Sequence, residues 1–78
     1  MNGRQLITMA NQIGGFFASM PDHTQALADI ASHIRRSWEP RMRRQILAML
    51  DTPEAESMSA IVREALQAHR ASLTPPQK

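Results

Sequence analysis

Five of the eight arginines in this 78-residue chain lie between Arg35 and Arg44, in a segment that also contains the only tryptophan. A guanidinium group offers planar, paired donors to carboxylates, phosphates and carbonyl oxygens. Arginine and tryptophan are also enriched where binding energy concentrates in protein interfaces. The segment therefore predicts a partner-binding site, whose candidate residues are Arg35, Arg36, Trp38, Arg41, Arg43 and Arg44.

The positive charge of the chain is local. Residues 33–46 carry five arginines and one glutamate, a net charge of +4, whereas the remaining residues carry −2 and the whole chain +2. Because like charges repel, folding alone gains nothing from crowding them in this way. The pattern favours docking on a specific acidic or polar surface over the diffuse field of a protein that coats nucleic acid.

A second dense feature is the run from Met9 to Phe17. Asn11 and Gln12 lie beside its apolar stripe, where their amides either satisfy backbone groups of a neighbouring segment or face water. Phe16 and Phe17 are about 100° apart on a helical wheel, so we expect one to face the core and the other an outer surface. Asn11, Gln12 and Phe16 are therefore further candidate partner-binding residues.

Residue types that would support catalysis or metal binding do not occur at diagnostic spacings. The chain has no cysteine, and no two of His23, His33 and His69 are three or four residues apart, as ligand pairs on a helix are. It contains neither a nucleophile elbow nor a phosphate-binding loop. A domain of this size can hardly enclose a catalytic pocket of several hundred cubic ångströms. We therefore expect neither an enzyme nor a metal site.

The apolar content of the chain is too dispersed for a membrane span of about 18–20 residues. The N-terminal twenty residues include Asn2, Gln5, Asn11 and Gln12, and they lack the basic start and unbroken apolar stretch of a secretory signal. The absence of cysteine is compatible with a reducing compartment. We expect a soluble, cytoplasmic protein that has no membrane partner.

The candidate binding residues must be positioned by secondary structure. The apolar residues of the chain recur at steps of three and four, which is the period of helices with one buried face. Prolines at positions 21, 40 and 53 separate the periodic segments, with Asp22 or Thr24 and then Thr52 as candidate caps. The sequence predicts an all-α fold, a small bundle of about four short helices at residues 4–20, 24–38, 40–50 and 55–70.

The predicted helices form one domain, residues 1–70, followed by a mobile, disordered tail, residues 71–78. Trp38 ends the apolar stripe of the second helix, which favours a role as a core anchor between the second and third helices, with a mixed core and partner role as the alternative. The pair Gly14-Gly15 interrupts the first helix at a cost of about 1 kcal/mol per glycine. We expect another segment to pack closely against it.

These segments, in order, resemble the small delta subunit of the soluble, molybdenum-containing, NAD-dependent formate dehydrogenases. The resemblance spans roughly residues 6–70, and Gly15 departs from it because an acidic residue is expected there. It rests on Met9-Ala10-Asn11-Gln12-Ile13-Gly14, Phe16-Phe17, Met20-Pro21-Asp22, Ile30-Ala31, His33-Ile34-Arg35, Trp38-x-Pro40-Arg41-Met42-Arg43 and Val62-Arg63-Glu64-Ala65.

The resemblance implies a non-catalytic accessory subunit that binds and stabilises, or helps to mature, the large subunit that carries the molybdenum cofactor. It further implies that the molybdenum cofactor, iron–sulfur clusters, flavin and NAD reside in partner subunits and that this chain binds none of them. No nucleic acid is expected as a partner. Whether the isolated chain forms a homodimer stays open.

Two other functions would use the same arginines. In a small basic helical nucleic-acid-binding module, residues 40–50 would enter a groove and their arginines would contact phosphates. The pI near 10.5 permits this, although Glu39-Pro40 resembles a corner more than the short, often glycine-containing turn of a helix-turn-helix. The second of these functions is the binding of an anionic cofactor or nucleotide during enzyme maturation, through the same arginines.

Overall fold

The structure, a computed structural model, describes residues 2–76, and all the regular elements among them are helical. The all-α prediction with about four short helices is confirmed, since four α-helices are nine residues or longer. The elements are α1 (Gly3–Phe17), α2 (His23–Ser37), α3 (Pro40–Met49), a 3₁₀ helix (Pro53–Ser57), α4 (Ala60–Ala68) and α5 (Arg70–Leu73).

The first two helices begin at side-chain caps. The side-chain oxygen of Asn2 accepts a hydrogen bond from the Gln5 amide at 2.9 Å, and that of Asp22 accepts one from the Gln25 amide at 3.1 Å. These bonds satisfy amides that have no partner inside a helix. Of the two caps predicted for the second helix, Asp22 is confirmed.

Helix α1 ends at Phe17, three residues before the predicted boundary. Pro21 disfavours helical backbone at Met20, the residue before it. The chain instead turns, and the Met20 amide donates to the Phe17 carbonyl at 3.1 Å.

The core is built around α2, which packs against α1, α4 and α5, while α1 also contacts α3 and α4. The apolar stripes predicted from the sequence are the surfaces that meet there. One continuous cluster of buried side chains joins the helices; its largest fully buried members are Leu6, Ile30, Ile34, Ile46, Met58, Val62, Leu66 and Leu73.

The region predicted as one helix over residues 55–70 is divided into three pieces, which corrects that boundary. The 3₁₀ helix is followed by extended backbone at Met58 and Ser59, and α4 starts only at Ala60. The extended backbone directs Met58 into the core, where it is 2% exposed. A second interruption at His69, with φ −115° and ψ 24°, separates α4 from α5.

The helical domain also extends past the predicted boundary at residue 70. Arg70–Leu73 form α5, and Leu73 is fully buried against the rest of the core. Pro75 is buried as well. Burial of Leu73, a large apolar side chain, together with the contacts of α5 with α2 and α4, stabilises the segment. The last two residues of the predicted tail, 77 and 78, lie outside the described residues.

The two adjacent glycines of α1 have opposite surroundings. A Cβ atom at Gly14 would lie 2.7 Å from Cγ2 of Val62 and 3.2 Å from Cγ2 of Ile61, both in α4. A Cβ atom at Gly15 would have no neighbour within 4 Å. The expected close packing is therefore confirmed, and it occurs at Gly14.

This difference predicts opposite effects of one substitution at neighbouring positions. Gly15→Ala should raise the free energy of unfolding by about 0.5–1 kcal/mol, because alanine favours the helix. Gly14→Ala gains the same helix preference but forces Val62 to move, at a strain cost of about 1–3 kcal/mol. Thermal denaturation followed by circular dichroism should place Gly15→Ala above the wild type and Gly14→Ala below it. If both variants melted higher, the α1–α4 contact would be looser than the structure shows.

Candidate partner-binding surface

The corner between α2 and α3 is two residues long. The Trp38 amide closes α2 by donating to the Ile34 carbonyl at 2.8 Å, and Trp38 and Glu39 then adopt extended backbone. Pro40 starts α3 at a position where its missing amide hydrogen costs nothing. Trp38 is 5% exposed and belongs to the core cluster, so its predicted role as a core anchor is confirmed.

An open groove of about 560 Å³ lies where α1 meets the α2–α3 corner. Its polar lining residues are Gln12, His33 and Ser37, and the other six are apolar or aromatic. One edge of Trp38 reaches it, so the tryptophan contributes to both the core and this surface. The groove is lined by Met9, Gln12, Ile13, Phe16, Phe17, His33, Ser37, Trp38 and Met42.

The two phenylalanines at the end of α1 divide between the core and the surface, as predicted. Phe17 is half-buried and packs against the core, with its ring 6.4 Å from that of His33. Phe16 is 76% exposed, and its ring meets that of Phe17 edge to face at 5.0 Å. An exposed phenylalanine beside a groove differs from scattered surface apolar residues, because it extends an apolar patch.

The groove continues along the outer side of α1. A neighbouring cavity of about 440 Å³, which we call the α1 extension, shares Met9 and Gln12 with the groove. It reaches to the start of the helix and is otherwise lined by Asn2, Arg4, Gln5 and Thr8. Gln12 is exposed and lies at the junction of the two cavities.

The five predicted arginines, which we call the arginine cluster, surround the corner without forming one stripe. Arg35 is exposed, and its Nε donates to the Ser72 carbonyl at 3.1 Å, tying α2 to α5. Arg36 donates to the Ser32 carbonyl of its own helix at 3.3 Å. Each of these side chains uses one donor within the chain and keeps the rest of its guanidinium group at the surface.

The other three arginines of the cluster belong to α3. Arg41 and Arg44 are exposed and line a shallow cavity of about 360 Å³ with Glu39 and Pro40. Arg43 is half-buried, and its buried Nε has no hydrogen-bond partner among the described residues. α3 therefore presents at least two guanidinium groups to solvent on one side of the corner.

None of the cluster arginines forms a salt bridge within residues 2–76. In that range Arg70 pairs with Asp51 at 2.9 Å, and His23 contacts Glu64 at 3.2 Å, an ion pair when the histidine is protonated. Glu39 lines the same cavity as Arg41 and Arg44 without forming a salt bridge with either of them.

Asn11 takes the first of the two roles that the sequence left open. Its Nδ2 donates to the Ser57 carbonyl at 3.0 Å, and its Oδ1 accepts from the Ser59 amide at 2.9 Å. One side chain of α1 thereby satisfies both backbone groups at the break between the 3₁₀ helix and α4. Gln12 takes the other role and faces water.

Sequence reasoning missed several members of this surface. The apolar spacing assigned Met9, Ile13 and Met42 to the buried faces of their helices. They are accessible at the groove only because α1 packs beside the corner between α2 and α3. His33 and Ser37 carried no signal of their own. His33 and Ser37 are four residues apart on α2 and share one of its faces, which was the one feature that could have placed them together.

No helix within residues 2–76 is both long and apolar enough to cross a bilayer. No group of three or more histidine, cysteine, aspartate or glutamate side chains in the same range is arranged to hold a metal ion.

The fold and surface define a small all-α protein with an open apolar groove beside an arginine-rich helix corner. A family model for the delta subunit of NADH-dependent formate dehydrogenase, FdsD, matches residues 5–66, most of the chain. The chain belongs to this family of delta subunits. Comparison with curated proteins and with solved structures gives no match. A delta subunit is one chain of a multi-subunit enzyme, so association with other subunits follows from membership.

Proposed function

We propose that this chain is a non-catalytic accessory subunit that binds and stabilises, or helps to mature, the large molybdenum-cofactor-bearing subunit of an NAD-dependent formate dehydrogenase. The single observation that carries the proposal is the arginine cluster, whose guanidinium groups have no acidic partner within residues 2–76. Family membership supplies the enzyme with which such a surface would associate.

The cluster favours binding for an energetic reason. Five like charges around one corner destabilise the isolated fold by repulsion, and exposed guanidinium groups gain little from solvent-exposed pairing. Carboxylates and carbonyls of a partner would accept charge-assisted, bidentate hydrogen bonds, which are stronger than neutral ones. The same arrangement that opposes folding therefore favours a complex.

In this proposal the chemistry belongs to the other subunits. The molybdenum cofactor, the iron–sulfur clusters, the flavin and the NAD site lie there, and this chain contributes no reacting group. The complex is cytoplasmic. Without this chain, the amount and the lifetime of the active large subunit would fall. Formate oxidation would decrease only because that subunit is lost.

A charge-matched pair of double variants tests the binding role. Arg41→Gln with Arg44→Gln removes two positive charges from the exposed side of α3, and we expect affinity for the large subunit to fall at least about tenfold, since each lost charge-assisted hydrogen bond is worth about 1.5–3 kcal/mol. Thr24→Glu with Gln67→Glu changes the net charge by the same amount at exposed positions of α2 and α4 and should bind as the wild type.

Binding is measured by titrating purified chain into large subunit that was produced without it, with circular dichroism to confirm folding of each variant. Equal affinities for the two double variants would contradict a specific role for the arginine cluster.

Thermal melting and molybdenum content of the large subunit, with and without this chain, separate stabilisation from maturation. The nucleic-acid alternative predicts DNA binding that weakens steeply with salt.

A further inference from the structure

We infer that the groove and the α1 extension receive an acidic amphipathic helix of the large subunit, with apolar side chains in the groove and carboxylates toward the arginines. This inference rests on the proposed function, because it assumes that the large subunit is the partner. It adds the binding surface and the chemistry of the segment that occupies it.

The shape of the surface favours an elongated occupant. The groove and the α1 extension adjoin each other, since Met9 and Gln12 line both. Together they follow α1 from Asn2 to Phe16, about 21 Å at 1.5 Å per residue. A helix that lies along such a surface presents side chains at i, i+3, i+4 and i+7, whereas a small ligand would leave much of its length uncovered.

The lining of the groove suits apolar side chains on the occupant. Met9 and Met42 have flexible, polarizable side chains that adapt to an incoming surface. Phe16, 76% exposed at the edge, is available as an aromatic anchor. Three of the nine lining residues are polar, so the groove offers few hydrogen-bonding groups to a polar small molecule.

The charge around the surface selects an acidic occupant. The titratable lining residues are His33 in the groove and Arg4 in the α1 extension, and no acidic residue among residues 2–76 lines either cavity. Arg43, half-buried on α3, directly follows the lining residue Met42, whereas Arg41 lines the separate cavity with Arg44.

The two acidic residues nearest to this surface along the chain, Glu39 and Asp29, line neither of its cavities. Glu39 lies in the separate cavity with Arg41 and Arg44. Asp29, one turn before His33, accepts a hydrogen bond from Gln25 at 2.8 Å. A second copy of this chain would bring the same positive rim against this one, so electrostatic complementarity favours a different, acidic partner.

The first test removes the aromatic anchor. Phe16→Ala should weaken binding to the large subunit about 30-fold, the size of effect seen for interface hot spots, and should leave the thermal midpoint unchanged because the side chain is exposed. Gln67→Ala, an exposed position of α4 outside the groove, is the control and should bind as the wild type.

The second test determines whether the segment bound in the groove is acidic. Gln12 is exposed at the junction of the two cavities, so Gln12→Lys and Gln12→Glu place opposite charges at one point. An acidic helix should bind Gln12→Lys about tenfold more tightly than Gln12→Glu, and the difference should shrink as salt is added. Equal affinities, or the reverse order, would overturn the assignment of an acidic segment.

The third test identifies the segment. A photo-crosslinking amino acid at position 16, incorporated into the chain within the assembled enzyme, should attach to one acidic helix of the large subunit. Attachment to a second copy of this chain, or to a non-acidic segment, would overturn the inference.

Failure of the proposed function looks different from failure of the inference. If the wild-type chain does not bind the large subunit, both fail. If it binds and the Phe16 and Gln12 variants bind equally well, the surface lies elsewhere and the proposed function stands.

Discussion

Replacing Trp38 with alanine is expected to lower the free energy of unfolding by about 3–5 kcal/mol, the cost of deleting a buried aromatic side chain. The tryptophan is 5% exposed, belongs to the core cluster and stands at the two-residue corner that follows α2. A domain has only about 5–15 kcal/mol of stability in total, so much of the folded population should be lost. Urea denaturation followed by circular dichroism at 222 nm measures the change, since the variant has no tryptophan fluorescence.

Phe16→Ala is the matched control, because it removes another aromatic ring from the same groove at a position that is 76% exposed. Its unfolding free energy should stay within about 0.5 kcal/mol of the wild type. Trp38→Phe should lose less than Trp38→Ala, since it keeps part of the buried ring. If Trp38→Ala cost less than about 1 kcal/mol, the ring would not be a core anchor.

Leu73→Ala is the second substitution with a large expected effect, about 2–5 kcal/mol of destabilisation. The residue lies in the segment that composition assigned to a disordered tail, yet it is fully buried. Its removal would leave a cavity where α5 packs against α2. A chemical denaturation series with the purified chain measures the loss.

The neighbouring substitution Ser72→Ala provides the control. The Ser72 side chain is exposed, and its carbonyl, which accepts the Arg35 hydrogen bond, is kept. Its stability should match that of the wild type. Equal stability of the Leu73 and Ser72 variants would mean that residues 70–73 do not pack as the structure shows.

The helices and the buried faces were predictable because they follow from local spacing. Apolar periodicity located α1, α2 and α3 to within a few residues, and Pro21, Pro40 and Pro53 marked the breaks that follow them. The division of Phe16 from Phe17 and the burial of Trp38 also followed from helical geometry alone.

What the sequence did not predict depends on contacts between distant segments. At the break at Met58 and Ser59 the backbone is bonded by Asn11, more than forty residues earlier, and the local signal for a helix start, Ser59 at the N-cap of α4, does not by itself indicate that contact. The order of residues 70–73 depends on Leu73 entering a pocket formed by other helices. The proline-rich composition near the C-terminus predicted a disordered tail instead.

The partner-binding residues named from the sequence remain predictions, but the structure separates their positions. Arg41, Arg44, Phe16 and Gln12 are exposed, whereas Asn11 is engaged within the chain. The groove itself could not be predicted, because a cavity depends on how α1 meets the α2–α3 corner. Its position between Phe16 and Met42 gives the proposed partner surface an apolar component that charge alone did not indicate.

The Asn11 bridge makes the backbone at the break depend on the docking of α1. Within the region predicted as one helix over residues 55–70, Asn11 donates to the Ser57 carbonyl and accepts from the Ser59 amide. A peptide of residues 55–70 alone lacks this side chain, so the native geometry of the break is a property of the assembled domain and not of the local segment.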